Sequence, residues 1–433
     1  METIDDIPIT KIKRTGKIIE TGAKIGVNYL KYYGNRLLSS EDSALEQLNK
    51  ENAEDIYNGL KKLKGSALKA AQMMSMEKSL LPQAYVEKFS LSQFSVPPLS
   101  APLVIKTFKS YFNKTPYEIF DEFEPLACNA ASIGQVHKAK KDNQQLAIKI
   151  QYPGISESIQ TDLKLVRPFA QKLLNISSKD SEIYFREVEQ KLLEETNYTL
   201  ELEQSIEIAR ACQHIPNIVF PRYYPELSSN RILTMDWMKG KHLSELNNLS
   251  FNKNEIGQCL WDFYMFQIHI LKKVHADPHP GNFMLGHDKK LIVLDFGCMK
   301  IIPMSFYKPY FEMIDAVIKE DHKAFKLKLY ELEILKTSDN KKENSFFTTM
   351  FFEILTAFAT PFKNEQFDFS NKAFYDKIAK LSEDYAKNSE LRNLDANRGS
   401  KHFIYVNRTF FGLFSLMNDL GSDRIYINNY KNL

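Results

Sequence analysis

The strongest constraint on this chain is a pair of short polar motifs that follow one another at fixed spacing. The first, at 275–282, places Asn282 five residues after Asp277. The second, at 293–297, follows an apolar run and places Asp295 18 residues after Asp277. Carboxylates and an amide in this order hold Mg²⁺ in phosphoryl-transfer sites, where the protein mainly positions the metal and neutralises developing charge. The motifs predict Mg²⁺-dependent ATP chemistry, with Asp277 facing the nucleophile and Asn282 and Asp295 on the metal.

Segments upstream are typical of the smaller lobe of a protein kinase and occur in kinase order. Lys149 closes the run 146–149, which resembles the strand whose lysine holds the ATP phosphates. A helix predicted from about Glu182 to Cys212 supplies Glu201 as its partner, because a buried ammonium without an opposing charge is costly. The residues predicted to contact the nucleotide are Ala130, Ala131, Ser132, Ile133, Gly134, Gln135, Val136, Lys149, Met235, Asp236 and Met238.

The phosphate loop departs from that of an ordinary kinase. The segment 127–136 is rich in alanine, and only Gly134 within it is able to adopt positive φ freely. We therefore expect a stiffer cover over the phosphates. Each charged residue taken alone carries little weight, since 26% of the chain is charged, and only the order of the motifs selects Lys149 and Glu201. A zinc site at His275 and His279 is disfavoured, because Pro278 interrupts any helix that would place both on one face.

Three segments resemble the UbiB/AarF family of atypical kinase-like proteins. The first, 64–75, is similar to the family's K-x-G-Q motif, with Lys69 and Gln72 in place but Ala71 where glycine is usual. The second, 129–137, resembles the alanine-rich loop, and the third, 195–201, resembles E-x-D-Y-x-x-E with Asn197 at the usual aspartate. The segment 407–412 is also family-like.

The resemblance implies an α+β, bilobal protein-kinase-like fold with an N-terminal helical extension packed over the active site. It implies ATP or ADP and Mg²⁺ as cofactors, and a role in isoprenoid-quinone (ubiquinone-type) biosynthesis beside membrane lipids. An isoprenoid lipid or quinone precursor and other quinone-biosynthesis proteins are the expected partners, with a homodimer left open. The resemblance also implies a regulatory lid that favours ATP hydrolysis over protein phosphorylation, formed by Lys69, Gln72, Glu195 and Asn197.

Composition shifts and motif positions divide the chain into four predicted parts. Residues 1–50 form a basic helical leader, 51–117 the K-x-G-Q extension, 118–240 the small lobe and 241–433 a helical large lobe. The connection between Lys149 and Glu201 is long enough for an inserted helix, predicted over Ile155–Leu174. In the leader, seven basic residues against one acid between 11 and 36 predict either contact with an anionic membrane or a helix docked on the domain.

The remaining features of the composition bound the function. A net charge of +3 argues against a nucleic-acid partner. No apolar run is long enough to span a membrane, and the start of the chain lacks the features of a secretion signal. The four cysteines form no C-x-x-C pair, which fits a reducing compartment. The expected location is cytoplasmic, with peripheral contact at the inner face of the membrane.

Two other classes of function remain open at this point. A small-molecule phosphotransferase of the aminoglycoside or choline kinase type has nearly the same motif around Asp277 and Asn282, but it places no K-x-G-Q helix over its site. A non-catalytic, nucleotide-gated lipid-binding scaffold is the second alternative. The complete set of Lys149, Glu201, Asp277, Asn282 and Asp295 favours catalysis over the scaffold.

Overall fold

Two compact units make up the chain, and each contains its own sheet and core. The computed structural model describes residues 20–21, 23–25, 27–28, 31–32, 41–63, 67, 69, 83–90, 98–130, 133–174, 178–246, 251–387 and 398–428. The first unit takes residues 1–203 and 222–237, and the second takes 204–221 and 238–433.

Helices and strands both occur throughout the described residues. The helices are α1 (Glu41–Leu63), α2 (Gln83–Ser90), α3 (Ala101–Phe112), α4 (Pro116–Ile119), α5 (Ile155–Leu174), α6 (Ser178–Glu195), α7 (Tyr198–Cys212), α8 (Lys253–Phe266), α9 (Met304–Ile318), α10 (His322–Glu331), α11 (Lys341–Phe358), α12 (Lys372–Lys387) and α13 (Lys401–Leu420). The strands are β1 (Glu122–Phe123), β2 (Asn129–Ala130), β3 (Gly134–Lys141), β4 (Gln144–Gln151), β5 (Ile218–Val219), β6 (Ile232–Asp236), β7 (Gly240–His242), β8 (Lys273–His275), β9 (Phe283–Gly286), β10 (Leu291–Val293), β11 (Met299–Ile301), β12 (Gln366–Phe367) and β13 (Ile425–Tyr426).

The first unit is built on an antiparallel sheet with the order β1-β3-β4-β6, in which β2 also pairs with β3. The turn between β3 and β4 is tight because Asp142 and Asn143 both adopt positive φ, at 49° and 64°. Leu146, Ile148 and Ile150 alternate along β4 and are fully buried, in the period of two that a strand with one core-facing side requires. One apolar core joins this face to α3, α5 and α6.

Helix predictions in this unit were met in one case and corrected in another. The inserted helix predicted over Ile155–Leu174 is α5, with the same bounds. The single helix predicted from about Glu182 to Cys212 is wrong, because the chain forms α6 and α7 with a break between them. The break occurs at Asn197, whose side-chain Oδ1 accepts a hydrogen bond from the N–H of Leu200 at 3.1 Å and so caps the first turn of α7.

The second unit surrounds the buried helix α8. Trp261, Phe263 and Tyr264 are fully buried on successive sides of this helix, as expected of a helix enclosed on all faces. A four-stranded sheet has the order β5-β10-β9-β7, and two-stranded sheets join β8 to β11 and β12 to β13. Helices α9, α11 and α13 contribute aromatic side chains to the same core.

The predicted basic leader lies largely outside the described residues. Those described between 20 and 32 are helical, and buried Asn28 donates hydrogen bonds to Asn52 at 3.2 Å and Asp55 at 2.8 Å on α1. These contacts dock this part of the leader on α1, so membrane contact by the leader stays a prediction. Among the described residues, the helices are all too short or too polar to cross a bilayer.

Candidate active site

Lys149 and Glu201 form a short ion pair in the first unit. Lys149 lies on β4, in the centre of the sheet, and its Nζ is 2.7 Å from Glu201 Oε1 in the first turn of α7. The side chain of Glu201 is 2% exposed and that of Lys149 is 20% exposed. The lysine also lies 5.0 Å from the centre of the Tyr198 ring. A carboxylate this buried requires an opposing charge, so the pair fixes the ammonium while leaving part of it accessible.

A second lysine–glutamate pair lies in the same unit. Lys69 Nζ is 3.0 Å from Glu195 Oε2 at the end of α6, and both side chains are largely buried. These are two of the four residues predicted to form the lid. Gln72 lies outside the described residues, and Asn197 is exposed and caps α7. The contact brings the predicted motif lysine and its predicted anionic partner together.

Gly134 has a different role from the one its sequence context indicates. It is the first residue of β3, and it is absent from the three described glycines with positive φ. A Cβ atom at Gly134 would lie 2.7 Å from the Ile150 carbonyl oxygen and 2.8 Å from the Tyr198 hydroxyl. Glycine is therefore required at this position because β3 approaches β4 and α7 closely. Its backbone does not use the positive φ that glycine alone adopts freely. Ala131 and Ser132 lie outside the described residues.

Strand register assigns the other predicted nucleotide contacts to two faces of the sheet. Val136 lies opposite Lys149 in the β3–β4 ladder, and Ala147 lies opposite Met235 in the β4–β6 ladder. Opposed residues share a face, and so do residues two apart on a strand, so these four lie on one face. Leu233 also belongs to this face and was missed, because register is not visible in a single strand. Ile133 is buried beside β3, and Met238 follows β6 as a half-buried residue.

Gln135 and Asp236 belong to the opposite face. The side chain of Gln135 accepts a hydrogen bond from the Leu99 N–H at 2.6 Å and contacts the buried His137 ring at 2.7 Å. Burial lowers the pKa of His137 below its usual range. Asp236 accepts hydrogen bonds from the Tyr224 hydroxyl at 2.8 Å and the Arg222 N–H at 3.0 Å. Both side chains are thus engaged in holding the first unit together.

In the second unit, hydrogen bonds to the main chain shape the loop that carries Asp277 and Asn282. The Asp277 carbonyl oxygen accepts from the His279 N–H at 2.8 Å and from Asn282 Nδ2 at 2.9 Å. The Asn282 carbonyl in turn accepts from the Leu294 N–H at 3.0 Å. Because Nδ2 donates to the loop, the amide oxygen of Asn282 is the atom suited to a metal.

Asp295 begins the turn that follows β10. Its Oδ1 accepts a hydrogen bond from the Gly297 N–H at 2.7 Å, while Phe296 is fully buried in the core. Strand β8 ends two residues before Asp277, and its partner β11 begins four residues after Asp295, so the β8–β11 ladder holds the two loops beside one another.

One amide and one carboxylate fit Mg²⁺, which completes its octahedron with water and phosphate oxygens. In the part of the chain that the structure describes, no cluster of three or more His, Cys, Asp or Glu side chains forms a protein-only metal cage. A metal held by Asn282 and Asp295 would take the rest of its shell from water and from ATP phosphate oxygens, as is usual in ATP-using enzymes.

Helix α13 contributes a residue that sequence reasoning left without a role. Arg408 Nη2 lies 3.9 Å from Asp277 Oδ1. The sequence marks the segment 407–412 only as family-like, and a contact across 131 positions of sequence leaves no local signal.

Known proteins are similar to this chain in sequence and in fold. The profile of the ABC1 atypical kinase-like domain matches residues 91–328, more than half of the chain. A chloroplastic aarF domain-containing protein kinase of Arabidopsis thaliana is 28% identical over 324 residues, covering 74% of this chain and 46% of its own. A chloroplastic protein of the same plant that bears the name "Activity of bc1 complex kinase 8" is 30% identical over 267 residues. The match covers 59% of this chain and 35% of that protein. The chain thus spans less than half the length of these curated relatives.

A solved structure supports the fold. The Rv3197–erythromycin complex from Mycobacterium tuberculosis superposes with a TM-score of 0.59, covering 91% of this chain and 98% of that one at 22% identity. Together with the atypical kinase-like domain profile, this likeness confirms the predicted α+β, kinase-like fold class. Since the domain profile covers both the Lys149–Glu201 pair and the loops of Asp277 and Asp295, the chain belongs to the ABC1 (UbiB/AarF) family of atypical kinase-like proteins.

Proposed function

We propose that this protein binds ATP with Mg²⁺ and hydrolyses it, or transfers its phosphoryl group, in support of isoprenoid-quinone (ubiquinone-type) or related membrane-lipid metabolism. The observation that carries the ATP chemistry is the 2.7 Å pair of Lys149 and Glu201. A buried glutamate 2.7 Å away holds the lysine ammonium in a fixed position, as is needed to contact phosphate oxygens.

The remaining roles follow from the groups of the second unit. Asn282 and Asp295 would hold Mg²⁺, which when bound neutralises charge on the phosphates. Asp277 would orient the attacking hydroxyl or water and accept its proton. Its main-chain oxygen is held by two hydrogen bonds, so the side chain projects from a fixed loop.

ATP hydrolysis is favoured over protein phosphorylation by the second lysine pair. Lys69 is held by Glu195 at 3.0 Å with both side chains largely buried, so the extension that carries Lys69 is tied to α6. An extension held in this way would exclude a peptide acceptor and leave water or a small lipid-linked acceptor. Contact with an anionic membrane surface and with other quinone-biosynthesis proteins belongs to the same proposal, as does a cytoplasmic location at the inner membrane face.

Radiolabelled ATP tests the acceptor. Wild type should release phosphate with little label on the protein, whereas Lys69→Ala and Glu195→Gln should each change nucleotide affinity and allow label to appear on the protein. Ala131→Gly should act in the same direction, because glycine restores freedom to the loop. Lys50→Ala is the matched control, since that lysine is exposed and pairs with the exposed Glu46. Strong labelling of the wild-type protein would contradict the proposal that the extension excludes a peptide acceptor. So would unchanged labelling and nucleotide affinity in both Lys69→Ala and Glu195→Gln.

Quinone and lipid profiling of a deletion strain tests the pathway class. We expect depletion of the isoprenoid quinone, restored by the wild-type gene and not by Asp295→Asn. A normal quinone and lipid profile in the deletion strain contradicts the metabolic role while leaving the ATP chemistry to be judged by the labelling assay.

A further inference from the structure

Helix α13 contacts the loop of Asp277 at two points that are one helical turn apart. Arg408 Nη2 lies 3.9 Å from Asp277 Oδ1, and Gly412 lies directly against the ring of Pro278. Residues four apart share one face of a helix, so a single face of α13 covers the loop. A Cβ atom at position 412 would overlap the proline ring, so the approach requires glycine there.

The position of α13 is determined by the core. The Tyr310 hydroxyl, fully buried on α9, donates a hydrogen bond to Asn407 Oδ1 at 2.6 Å, one residue before Arg408. At the start of the helix, Arg398 makes two hydrogen bonds to Asp339, at 2.7 and 2.8 Å, and stacks on the Phe347 ring. These contacts hold the backbone of α13, so the side chain of Arg408 extends from a backbone position that is fixed.

The charge of Arg408 acts on the Asp277 carboxylate across a distance longer than a hydrogen bond. Arginine keeps its charge at every physiological pH, and the 3.9 Å between these atoms exceeds the roughly 2.7–2.9 Å of a charge-assisted hydrogen bond. Both side chains are about a quarter exposed, so neither is packed in the interior. Between these two atoms the guanidinium therefore attracts the carboxylate at a distance longer than a hydrogen bond.

We propose that Arg408 is a positioning residue, which orients the Asp277 carboxylate from α13 towards the phosphoryl acceptor. This inference rests on the proposed function, since Asp277 must act on an acceptor for its orientation to matter. It makes the family-like segment 407–412 part of the active site: Asn407 anchors the helix, Arg408 orients the carboxylate and Gly412 allows the approach.

Steady-state turnover of Mg²⁺-ATP by the full chain gives the first test. Arg408→Gln should lower kcat by about 100-fold and leave KM for ATP within about twofold, because a misplaced group costs rate more than binding. The kcat of Arg408→Lys should lie between those of the wild type and Arg408→Gln, since lysine keeps the charge and loses the planar guanidinium. Gly412→Ala should also lower kcat with the arginine intact. The control is Arg424→Gln, another arginine of the second unit, whose side chain is exposed.

Thermal melting gives a second test that needs no turnover. Arg408→Gln should lower the melting temperature by about 2 °C in the wild-type background and cause no further change in Asp277→Asn. Equal melting shifts in both backgrounds, or wild-type kcat in Arg408→Gln, overturns the inference. Absence of ATP turnover in the wild type would overturn the proposed function instead, and the melting comparison would still decide whether Arg408 and Asp277 are coupled.

Discussion

The two units hold their candidate catalytic groups in different ways. In the first unit Lys69 and Lys149 are each paired with a glutamate at 3.0 Å or less, and the Glu201 carboxylate is almost completely buried. In the second unit Asn282 and Asp295 are oriented by hydrogen bonds with main-chain groups. Groups that contact phosphate through an ammonium need a counter-charge inside the protein, whereas each metal ligand must keep an oxygen lone pair for the metal. The first unit should therefore lose stability when a catalytic charge is removed, and the second should lose function with little loss of stability.

The largest expected effect is on the buried pair. Lys149→Ala leaves the Glu201 carboxylate buried without its counter-charge, and we expect the free energy of unfolding of the first unit to fall by about 3 kcal/mol. The chain has two tryptophans, Trp237 in the first unit and Trp261 in the second, so each unit can be followed alone after the other tryptophan is changed to phenylalanine. Urea unfolding followed by Trp237 in the Trp261→Phe background measures the loss.

A matched double variant separates charge from packing. Lys149→Ala combined with Glu201→Gln should recover part of the lost stability, since the buried carboxylate is gone. No recovery would mean that Lys149 stabilises the unit through its packing on Tyr198, and the contrast between the units would weaken.

The next effect is the loss of stability in acid, which buried His269 causes in the second unit and which buried His137 adds in the same direction in the first unit. Burial, together with the nearby charge of Lys272, lowers the pKa of His269 in the second unit to about 3 from its usual 6.5. The unfolded chain therefore takes up a proton below pH 6.5 that the folded chain does not, and stability falls as the pH falls. Between pH 6.5 and 5 the second unit should lose about 2 kcal/mol through this group.

Unfolding followed by Trp261 at the two pH values checks this loss, with His269→Gln as the comparison. Glutamine retains a polar partner for the Tyr307 hydroxyl, which lies 2.8 Å from His269 Nδ1, and it does not titrate. An equal pH dependence in His269→Gln would assign the acid sensitivity to other groups.

The smallest effect concerns the break between α6 and α7. Asn197→Ala removes the cap on the Leu200 N–H and should lower stability by about 1 kcal/mol, while Asn197→Asp keeps the cap and should be nearly neutral. Unfolding followed by Trp237 measures both. A large gain in Asn197→Asp would show instead that the charge usual in the family contributes more here than the cap.

Motif spacing was sufficient to predict those contacts of the candidate site that depend on a linear pattern. The order of the motifs predicted the pairing of Lys149 with Glu201, and the length of the intervening segment predicted α5. The break at Asn197 had a local signal, since asparagine is a strong N-cap residue. The resemblance to the family motif indicated only that this position lacks the usual negative charge.

Two other features had no local signal. The assignment of Gln135 and Asp236 to the face opposite Lys149 depends on the register between strands, which one strand alone does not specify. The approach of Arg408 to Asp277 joins distant segments through the packing of α13, so it emerges only from the tertiary structure.

The most direct test of the whole account is the thermal shift caused by ATP, with and without Mg²⁺, in wild type and in Asp295→Asn. Asparagine can still accept the Gly297 hydrogen bond, so the variant without ligand should melt close to the wild type. The wild type should gain several degrees from Mg²⁺-ATP, as a ligand at about 100 times its Kd adds roughly 2.7 kcal/mol, and Asp295→Asn should lose the Mg²⁺-dependent part. An equal Mg²⁺-dependent shift in both proteins would contradict the assignment of Asp295 to the metal.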